Sequence, residues 1–298
     1  MEKDSSLLDD FVLSLADVPR PRICFLPTAS GDADHYVVRF YRRFSPACDA
    51  SHVSLFRRDQ GTGDVEDDLA SHLLSQDLIY VGGGNVVSML GAWRAHGLDE
   101  VLREAWRKGI VLCGPSAGSL CWFEQALSAF HGAPRTVRGL GLLPYSNCVH
   151  YDAEPARRAE YHRFVGEGMR TGFAVEDGVA LHFCGTRLEQ VVSSRPDGHA
   201  YLVEPAGEGV MEAQLQAVYL GATGRGGRPT TAAAPGTVSP PVTPSATPSA
   251  TPAATPPAAG PPPLAPQPAG GEHRLPATPV TPPPPAAPQA AAPQPVAA

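Results

Sequence analysis

No apolar run in this chain reaches the roughly 18 residues that a membrane-spanning helix needs. The opening residues, MEKDSSLLDDFVLSL, start with acids and lack a basic stretch leading into a long apolar core, so the sequence predicts no signal peptide. No two of the six cysteines (Cys24, Cys48, Cys113, Cys121, Cys148 and Cys184) stand at CxxC spacing. Most lie among apolar neighbours, as in RICFL, IVLCG and LHFCG, which predicts buried free thiols in a reducing cytoplasm rather than disulfides or a zinc site. A strong charge of one sign is also missing. The formal net charge is −7, and the short basic clusters RFYRRF (39–44) and FRRD (56–59) are offset by nearby acids, so nothing points to nucleic acid. There is no GxGxxG, and no lysine follows the single glycine triplet as it would in a phosphate-binding loop. No internal repeat is visible.

What is present falls into two parts. Residues 1–222 mix apolar, charged and turn residues as one globular domain does. From 223 to 298 the chain is almost entirely Pro, Ala, Thr, Gly, Gln and Ser, with stretches such as TPSATPSATPAATPPAAGPPPLAP, and it holds most of the 33 prolines. Such a composition offers too little apolar side chain to offset the entropy of ordering, so a disordered or partly polyproline II tail is expected.

Within the domain, short apolar runs end in turn residues: RICFLPTASG (22–31), HVSLFRR (52–58), DLIYVGGGN (77–85) and GIVLCGPSAG (109–118). Helical periodicity occupies 34–44 and two stretches within 86–107, each closed by a glycine. This alternation predicts an α/β fold, a mostly parallel sheet with helices on both faces. GVALHFCG (178–185), LEQVVSSRP (188–196) and HAYLVEP (199–205) are expected to extend or edge the same sheet. Sites in such sheets form beyond the C-terminal strand ends, where TASG, GGGN and GPSAG could converge on one crevice.

Gly114-Pro115-Ser116-Ala117-Gly118 fits the G-x-S-x-G nucleophile elbow, placed as that motif requires between an apolar strand and an apolar helix. A serine there could also cap the helix. Hydrolysis by a serine needs backbone N–H groups aimed at an oxyanion, and Ala117 and Gly84 can supply them. Asn85, the last residue of the glycine turn, is a candidate substrate contact. A base is needed too. His182, alternating with apolar residues, reads as a core histidine, whereas His150 in SNCVHYDAE follows a Gly-Leu-Leu-Pro turn and leads into acids. An α/β-hydrolase would put its histidine much later, after an acid, and His150 lies only 34 residues past Ser116.

YVGGGN, WRAHGLDEVLREAWRKGIVLCGPSAGSLCWFE, GLGLLP, NCVHYD, DGVALHF and VVSSRP occur in that order and together resemble the aspartyl dipeptidase (peptidase E) family of serine peptidases, to which the cyanophycinases are related. The resemblance spans about 20–205. It implies a cytosolic serine hydrolase that needs no metal or other cofactor, on a flavodoxin-like sheet similar to class I glutamine amidotransferase domains. It places the nucleophile at Ser116, the base at His150 and the oxyanion donors at Gly84 and Ala117. The substrate it implies is a small peptide with an N-terminal aspartate, or a β-aspartyl-arginine bond.

The chain departs from that pattern where many relatives carry Thr-Asp-Ser after CWFE. Here the stretch is Ser128-Ala129-Phe130, without a carboxylate. Asp177, before Gly178, matches the carboxylate other relatives use and is taken as the third member; Asp152 and Glu176 are the alternatives. Arg157 and Arg158 are candidates to receive a substrate carboxylate through a bidentate fork. With Ala129 in the usual aspartate position, an inactive, peptide- or partner-binding relative stays open, as does a homodimer.

Overall fold

The computed structural model describes residues 7–56, 69–130, 132–207 and 209–222. The expected tail, 223–298, and residues 57–58 lie outside the described residues; the strand expected at 52–58 lies earlier, at Asp49–His52, and meets the expectation only at His52.

The first half runs α1 (Leu7–Ser14), β1 (Arg22–Leu26), α2 (Asp34–Phe44), β2 (Asp49–His52), α3 (Leu69–Leu74), β3 (Leu78–Val81), α4 (Val86–Ala95), α5 (Leu98–Arg107), β4 (Val111–Cys113) and α6 (Ala117–Leu120). Its strands make one parallel sheet, ordered β2-β1-β3-β4. Period-2 alternation divides the side chains between two faces. Ile23, Phe25, Leu78 and Tyr80 pack with Phe40 and Phe44 of α2, and the Phe25 and Phe40 rings stack at 4.8 Å. Cys24, Leu26, Ile79 and Val81 pack with Met89, Leu90 and Trp93 of α4 and Leu98 and Leu102 of α5. Both faces are thus covered by helices, as parallel sheets require.

The second half adds β5 (Phe123–Ser128), β6 (Arg135–Arg138), β7 (Leu143–Val149), α7 (Arg157–Gly166), β8 (Gly172–Val175), β9 (Val179–Cys184), β10 (Arg187–Ser193), β11 (Ala200–Ala206), β12 (Gly209–Leu215) and β13 (Ala217–Tyr219). Six of these strands form a sheet ordered β12-β11-β8-β7-β5-β6. The central β5, β7 and β8 are parallel, and the outer strands are antiparallel. One face carries Leu127, Cys148, Ala174 and Val203 under Tyr161 and Val165 of α7. The other carries Ala126, Phe173, Val175 and Leu202 into the main core shared with the first half.

Two further expectations change here. None of the three expected late strands joins the β2-β1-β3-β4 sheet; of them, β11 pairs with β8 in the six-stranded sheet. β9 and β10 pair with each other across a tight Gly185-Thr186 turn and join β13 in a separate three-stranded sheet. The physical reason is Phe183. Its ring packs 5.5–6.2 Å from Phe123, Tyr145 and Phe173, so the hairpin forms a layer over the six-stranded sheet instead of an edge on it. Cys184, next to that ring at the strand end, is exposed, against the expectation of burial. Cys24, Cys48, Cys121 and Cys148 are buried, Cys113 is partly so, and all six are free thiols. Burial pushes the Cys24 and Cys148 thiols up to about 12, which keeps them unreactive. No helix among the described residues is long and apolar enough to cross a membrane.

Candidate active site

Four segments leave the C-terminal ends of parallel strands carrying the residues of interest. β3 runs into Gly82-Gly83-Gly84, β4 into Gly114-Pro115-Ser116, β7 into His150, and β8 into Glu176-Asp177. The register pairs Val149 with Val175, so the residues just past these two strands emerge side by side.

The elbow depends on its glycines. A Cβ on either Gly114 or Gly118 would sit 2.2 Å from the Val81 carbonyl oxygen. Only glycine lets the turn press onto the end of β3. Between them Ser116 is held at φ 53, ψ −116, a conformation that costs a non-glycine residue about 1–3 kcal/mol. Its hydroxyl does not cap α6. It lies 3.1 Å from His150 Nε2 instead, which removes the capping reading. His150 is also at positive φ, 59°, and its Nδ1 stands 2.7 Å from Asp177 Oδ1. The geometry suits a neutral imidazole that donates Nδ1–H to the carboxylate and accepts the serine proton at Nε2.

The three candidate carboxylates divide their work. Asp177 faces His150. Asp152 turns away from the imidazole: Oδ1 accepts the backbone N–H of Asp177 at 2.9 Å, and Oδ2 accepts both terminal nitrogens of Arg195 at 3.0 Å. Partial burial works to raise the Asp152 carboxyl, but the Asp177 N–H and the Arg195 guanidinium outweigh it and hold the group below its ordinary range. Glu176 accepts from the His199 N–H at 2.9 Å, the Tyr201 hydroxyl at 3.1 Å and Arg195 at 3.3 Å.

The glycine loop lies against Ser116. A Cβ on Gly83 would stand 3.5 Å from the Ser116 Cβ. Gly84, at φ +140, approaches the 28–31 turn so closely that a Cβ would meet the Ala29 carbonyl oxygen at 2.2 Å. The Asn85 N–H donates to that same oxygen at 2.8 Å. TASG, GGGN and GPSAG therefore do converge. Among the described residues, the backbone N–H groups of Gly84 and Ala117 donate to no backbone carbonyl. Asn85 uses its side-chain oxygen to cap α4, accepting from Val87 and Ser88.

The two arginines sit otherwise than the chain spacing suggested. Arg157 is 6% exposed and pairs with Glu154. Arg158 pairs with Glu212 at 2.8 Å and lies over the rings of Tyr151 and Tyr201. Neither hydrogen-bonds Ser116, His150 or Asp177 among the described residues. Two supporting residues were not singled out from the sequence. Arg195 bridges Asp152 and Glu176. Asn147, fully buried, donates from Nδ2 to Ser119 Oγ at 3.0 Å and so ties the histidine strand to the helix behind the nucleophile. Asn147 stands in NCVHYD and Arg195 in VVSSRP, two of the motifs that carry the family resemblance, and that is the signal that could have found them. No group of three or more His, Cys, Asp or Glu that could hold a metal occurs among the described residues.

A hydroxyl, an imidazole and a carboxylate in series, on an elbow beside a glycine loop and at the strand ends of an α/β sheet, is the arrangement serine hydrolases use. The sequence profile of peptidase family S51 matches residues 1–191, and the chain belongs to that family: it is a peptidase. It is 44% identical over 223 residues to the uncharacterized peptidase YgaJ of Bacillus subtilis (strain 168), an alignment covering 74% of this chain and 94% of the relative. It is 28% identical over 181 residues to Peptidase E of Streptomyces coelicolor, covering 56% of this chain and 69% of that one. The crystal structure of a peptidase from an acI-B1 Actinobacterium superposes with a TM-score of 0.53 at 18% identity, over 71% of this chain and 89% of that one, and so shares the fold.

Proposed function

We propose that the chain is a serine-type peptidase that hydrolyses short peptides, dipeptides with an N-terminal aspartate foremost, through an acyl-enzyme on Ser116. The observation that carries this reading is the continuous relay from Ser116 Oγ to His150 at 3.1 Å and from His150 to Asp177 at 2.7 Å. His150 Nε2 takes the hydroxyl proton as Ser116 Oγ bonds to the scissile carbonyl carbon. The carbonyl oxygen gains the negative charge and is met by the N–H groups of Gly84 and Ala117. As the tetrahedral intermediate collapses, the C–N bond breaks and His150 passes its proton to the leaving amine. Water then gives a proton to His150, attacks the ester carbon and frees the acid, and Ser116 recovers its proton. Asp177 keeps the imidazole in the tautomer with Nε2 unprotonated and stabilises the cation that forms.

The relay speaks for catalysis despite Ala129, because Asp177 supplies a carboxylate where relatives with Thr-Asp-Ser would use another. The preference for an aspartate rests on the family resemblance and on the likeness to Peptidase E, not on Arg157 or Arg158, both of which are already paired. Two measurements test the reading. An activated fluorophosphonate should label Ser116 in the wild type and fail to label His150→Ala; a wild type that stays unlabelled defeats the acyl-enzyme. A panel of dipeptides with varied first residue, β-aspartyl-arginine included, should show fastest hydrolysis of Asp-Xaa. Equal rates for Ala-Xaa would defeat the assigned preference.

A further inference from the structure

Asp177 sits on an exposed turn, with its side chain 52% open to solvent. A carboxylate so placed can swing into water, yet the relay requires Oδ1 to stay within hydrogen-bond reach of His150. What fixes the turn is its backbone. The Asp177 N–H donates to Asp152 Oδ1 at 2.9 Å. The Gly178 carbonyl accepts the Ser194 N–H at 2.8 Å and the Ser194 hydroxyl at 3.1 Å. Gly178, at φ +77, lies so close to Arg195 that a Cβ would stand 3.1 Å from its Cγ. Arg195 then closes the ring. Both of its terminal nitrogens donate to Asp152 Oδ2, and one also reaches Glu176 Oε2. Glu176 is anchored in turn by the His199 N–H and the Tyr201 hydroxyl of β11.

Asp152 stands two residues after His150, so its carboxylate joins the backbone that bears the base to the backbone that bears the acid. We propose that Asp152 and Arg195 form a clamp that positions Asp177 against His150, and that both are positioning residues for hydrolysis. This inference rests on the reading of Ser116, His150 and Asp177 as the catalytic relay. Arg195 has two tasks in it. Its charge balances Asp152 and Glu176, which stand next to Asp177 and would otherwise crowd negative charge at the turn. Its planar fork also fixes the rotation of the Asp152 carboxylate, so that Oδ1 points at the Asp177 N–H. A lysine, as a point charge without that fork, can do the first task but not the second.

The test compares full-length wild type with Asp152→Ala, Asp152→Asn, Arg195→Met and Arg195→Lys. The readouts are kcat and KM on the best dipeptide, and the low-field proton resonance of His150 Nδ1–H, assigned by its absence in His150→Ala. The resonance reports the His150–Asp177 contact whether or not substrate turns over. Asp152→Ala and Arg195→Met should lower kcat by about 100-fold with KM little changed, as expected when a catalytic group is misplaced by about 1 Å. Both should lose the low-field resonance while keeping a native near-ultraviolet circular dichroism spectrum. Asp152→Asn should lose less, because its amide oxygen can still accept the Asp177 N–H, and Arg195→Lys should fall between wild type and Arg195→Met. If Asp152→Ala does not fold, Asp152→Asn and Arg195→Lys decide by the same ordering.

The clamp is overturned if the folded variants keep kcat within about three-fold of wild type. It is equally overturned if kcat falls while the His150 resonance stays in place. Failure of the relay itself reads differently, as a wild type that the fluorophosphonate leaves unlabelled at Ser116.

Discussion

Ser116 reaches its position through backbone packed on backbone, whereas His150 and Asp177, brought together by strand register, are held there by side chains that grip the turns. In the first half, Gly114 and Gly118 press the elbow onto the Val81 carbonyl and Gly84 presses the neighbouring loop onto Ala29. The oxyanion donors proposed there, Gly84 and Ala117, act through main-chain N–H groups. In the second half the holding contacts are polar side-chain bonds between residues far apart in sequence: Arg195 to Asp152 across 43 positions, Tyr201 to Glu176 across 25, and Tyr151 to Glu212 across 61. A half built from backbone fails when an atom is added, and a half built from side chains fails when one is removed. The Ser116 side is therefore rigid by exclusion, and the His150 side is rigid by attachment.

The largest effect expected is at the point where the halves meet. Ser116→Ala should lower turnover by about 10⁶, since a relay that has lost its nucleophile retains little beyond substrate binding. Steady-state hydrolysis of the preferred dipeptide checks this, and a variant that keeps substantial activity would move the nucleophile elsewhere. Next comes the carboxylate. Asp177→Asn should lower kcat by about 10⁴ through the wrong imidazole tautomer, with little loss of stability. Glu176→Gln should do the reverse: a lower melting temperature, because Arg195, His199 and Tyr201 lose a charged acceptor, and a much smaller fall in kcat. If Glu176→Gln proved the more damaging to kcat, Asp177 would lose its place in the relay.

The same contrast explains what could be read from the chain. The elbow is legible because its whole logic lies in five consecutive residues and the strand and helix beside them. The helices of the first half are legible too. Periodicity and the closing glycines predict 34–44 and two stretches in 86–107, and the structure has Asp34–Phe44, Val86–Ala95 and Leu98–Arg107, with Gly97 and Gly109 at positive φ. The second half resists because its site depends on register. His150 meets Asp177 since Val149 pairs with Val175, and no local pattern encodes a parallel register. Arg157 misleads for a related reason. In RRAEYHRFVG the charged residues hide which face of α7 packs, so a buried arginine reads like an exposed one. The separate β9–β10 layer follows from Phe183 and its three aromatic partners, which the sequence scatters over 61 positions, from 123 to 183.

Adding an atom should break the first half. Gly84→Ala would force its methyl group to within 2.2 Å of the Ala29 carbonyl, so the loop must shift and carry its N–H away from the oxyanion. A loss of about 10²–10³ in kcat is expected, the usual effect of losing one such donor. The labelling rate of Ser116 by a fluorophosphonate should fall in parallel, because its tetrahedral adduct uses the same donors. Unchanged labelling would put the donor elsewhere, Gly83 being the nearest alternative.

Acid sharpens the contrast with a smaller effect. Asp152 in the second half and Asp77 in the first are both held below their ordinary range. For Asp152, burial is outweighed by the Asp177 N–H and Arg195; for Asp77, the Arg22 hydrogen bond leads. A carboxyl whose folded value lies below its unfolded value of about 4 stabilises the fold above that pH, and the contribution fades as pH falls through the folded value. Removing the arginine side chain takes away part of that contribution, since the Asp177 N–H still reaches Asp152 and the Arg22 N–H still reaches Asp77. Arg195→Met and Arg22→Met should each move the acid-unfolding midpoint up by a few tenths of a pH unit or about one half. Only Arg195→Met should also lose activity at neutral pH, because Arg22 lies at the far, N-terminal end of β1. Circular dichroism against pH, with activity measured in parallel, separates the two.

The smallest effect isolates the backbone of the elbow. Ser116→Ala and Ser116→Gly both remove the hydroxyl and its bond to His150, so they differ by one methyl group and by the main-chain conformations each tolerates. Alanine must adopt the same φ of 53°, and glycine adopts it without strain. Glycine also gains freedom in the unfolded chain, which works against it, but at a positive φ the relief of strain is the larger of the two. The balance should favour Ser116→Gly by about 1 kcal/mol, or about 3 °C in melting temperature for a domain of this size. A glycine variant that melts with or below the alanine variant would mean that the elbow stores no strain. The first half would then owe its geometry to side-chain contacts as the second does, and the contrast between them would collapse.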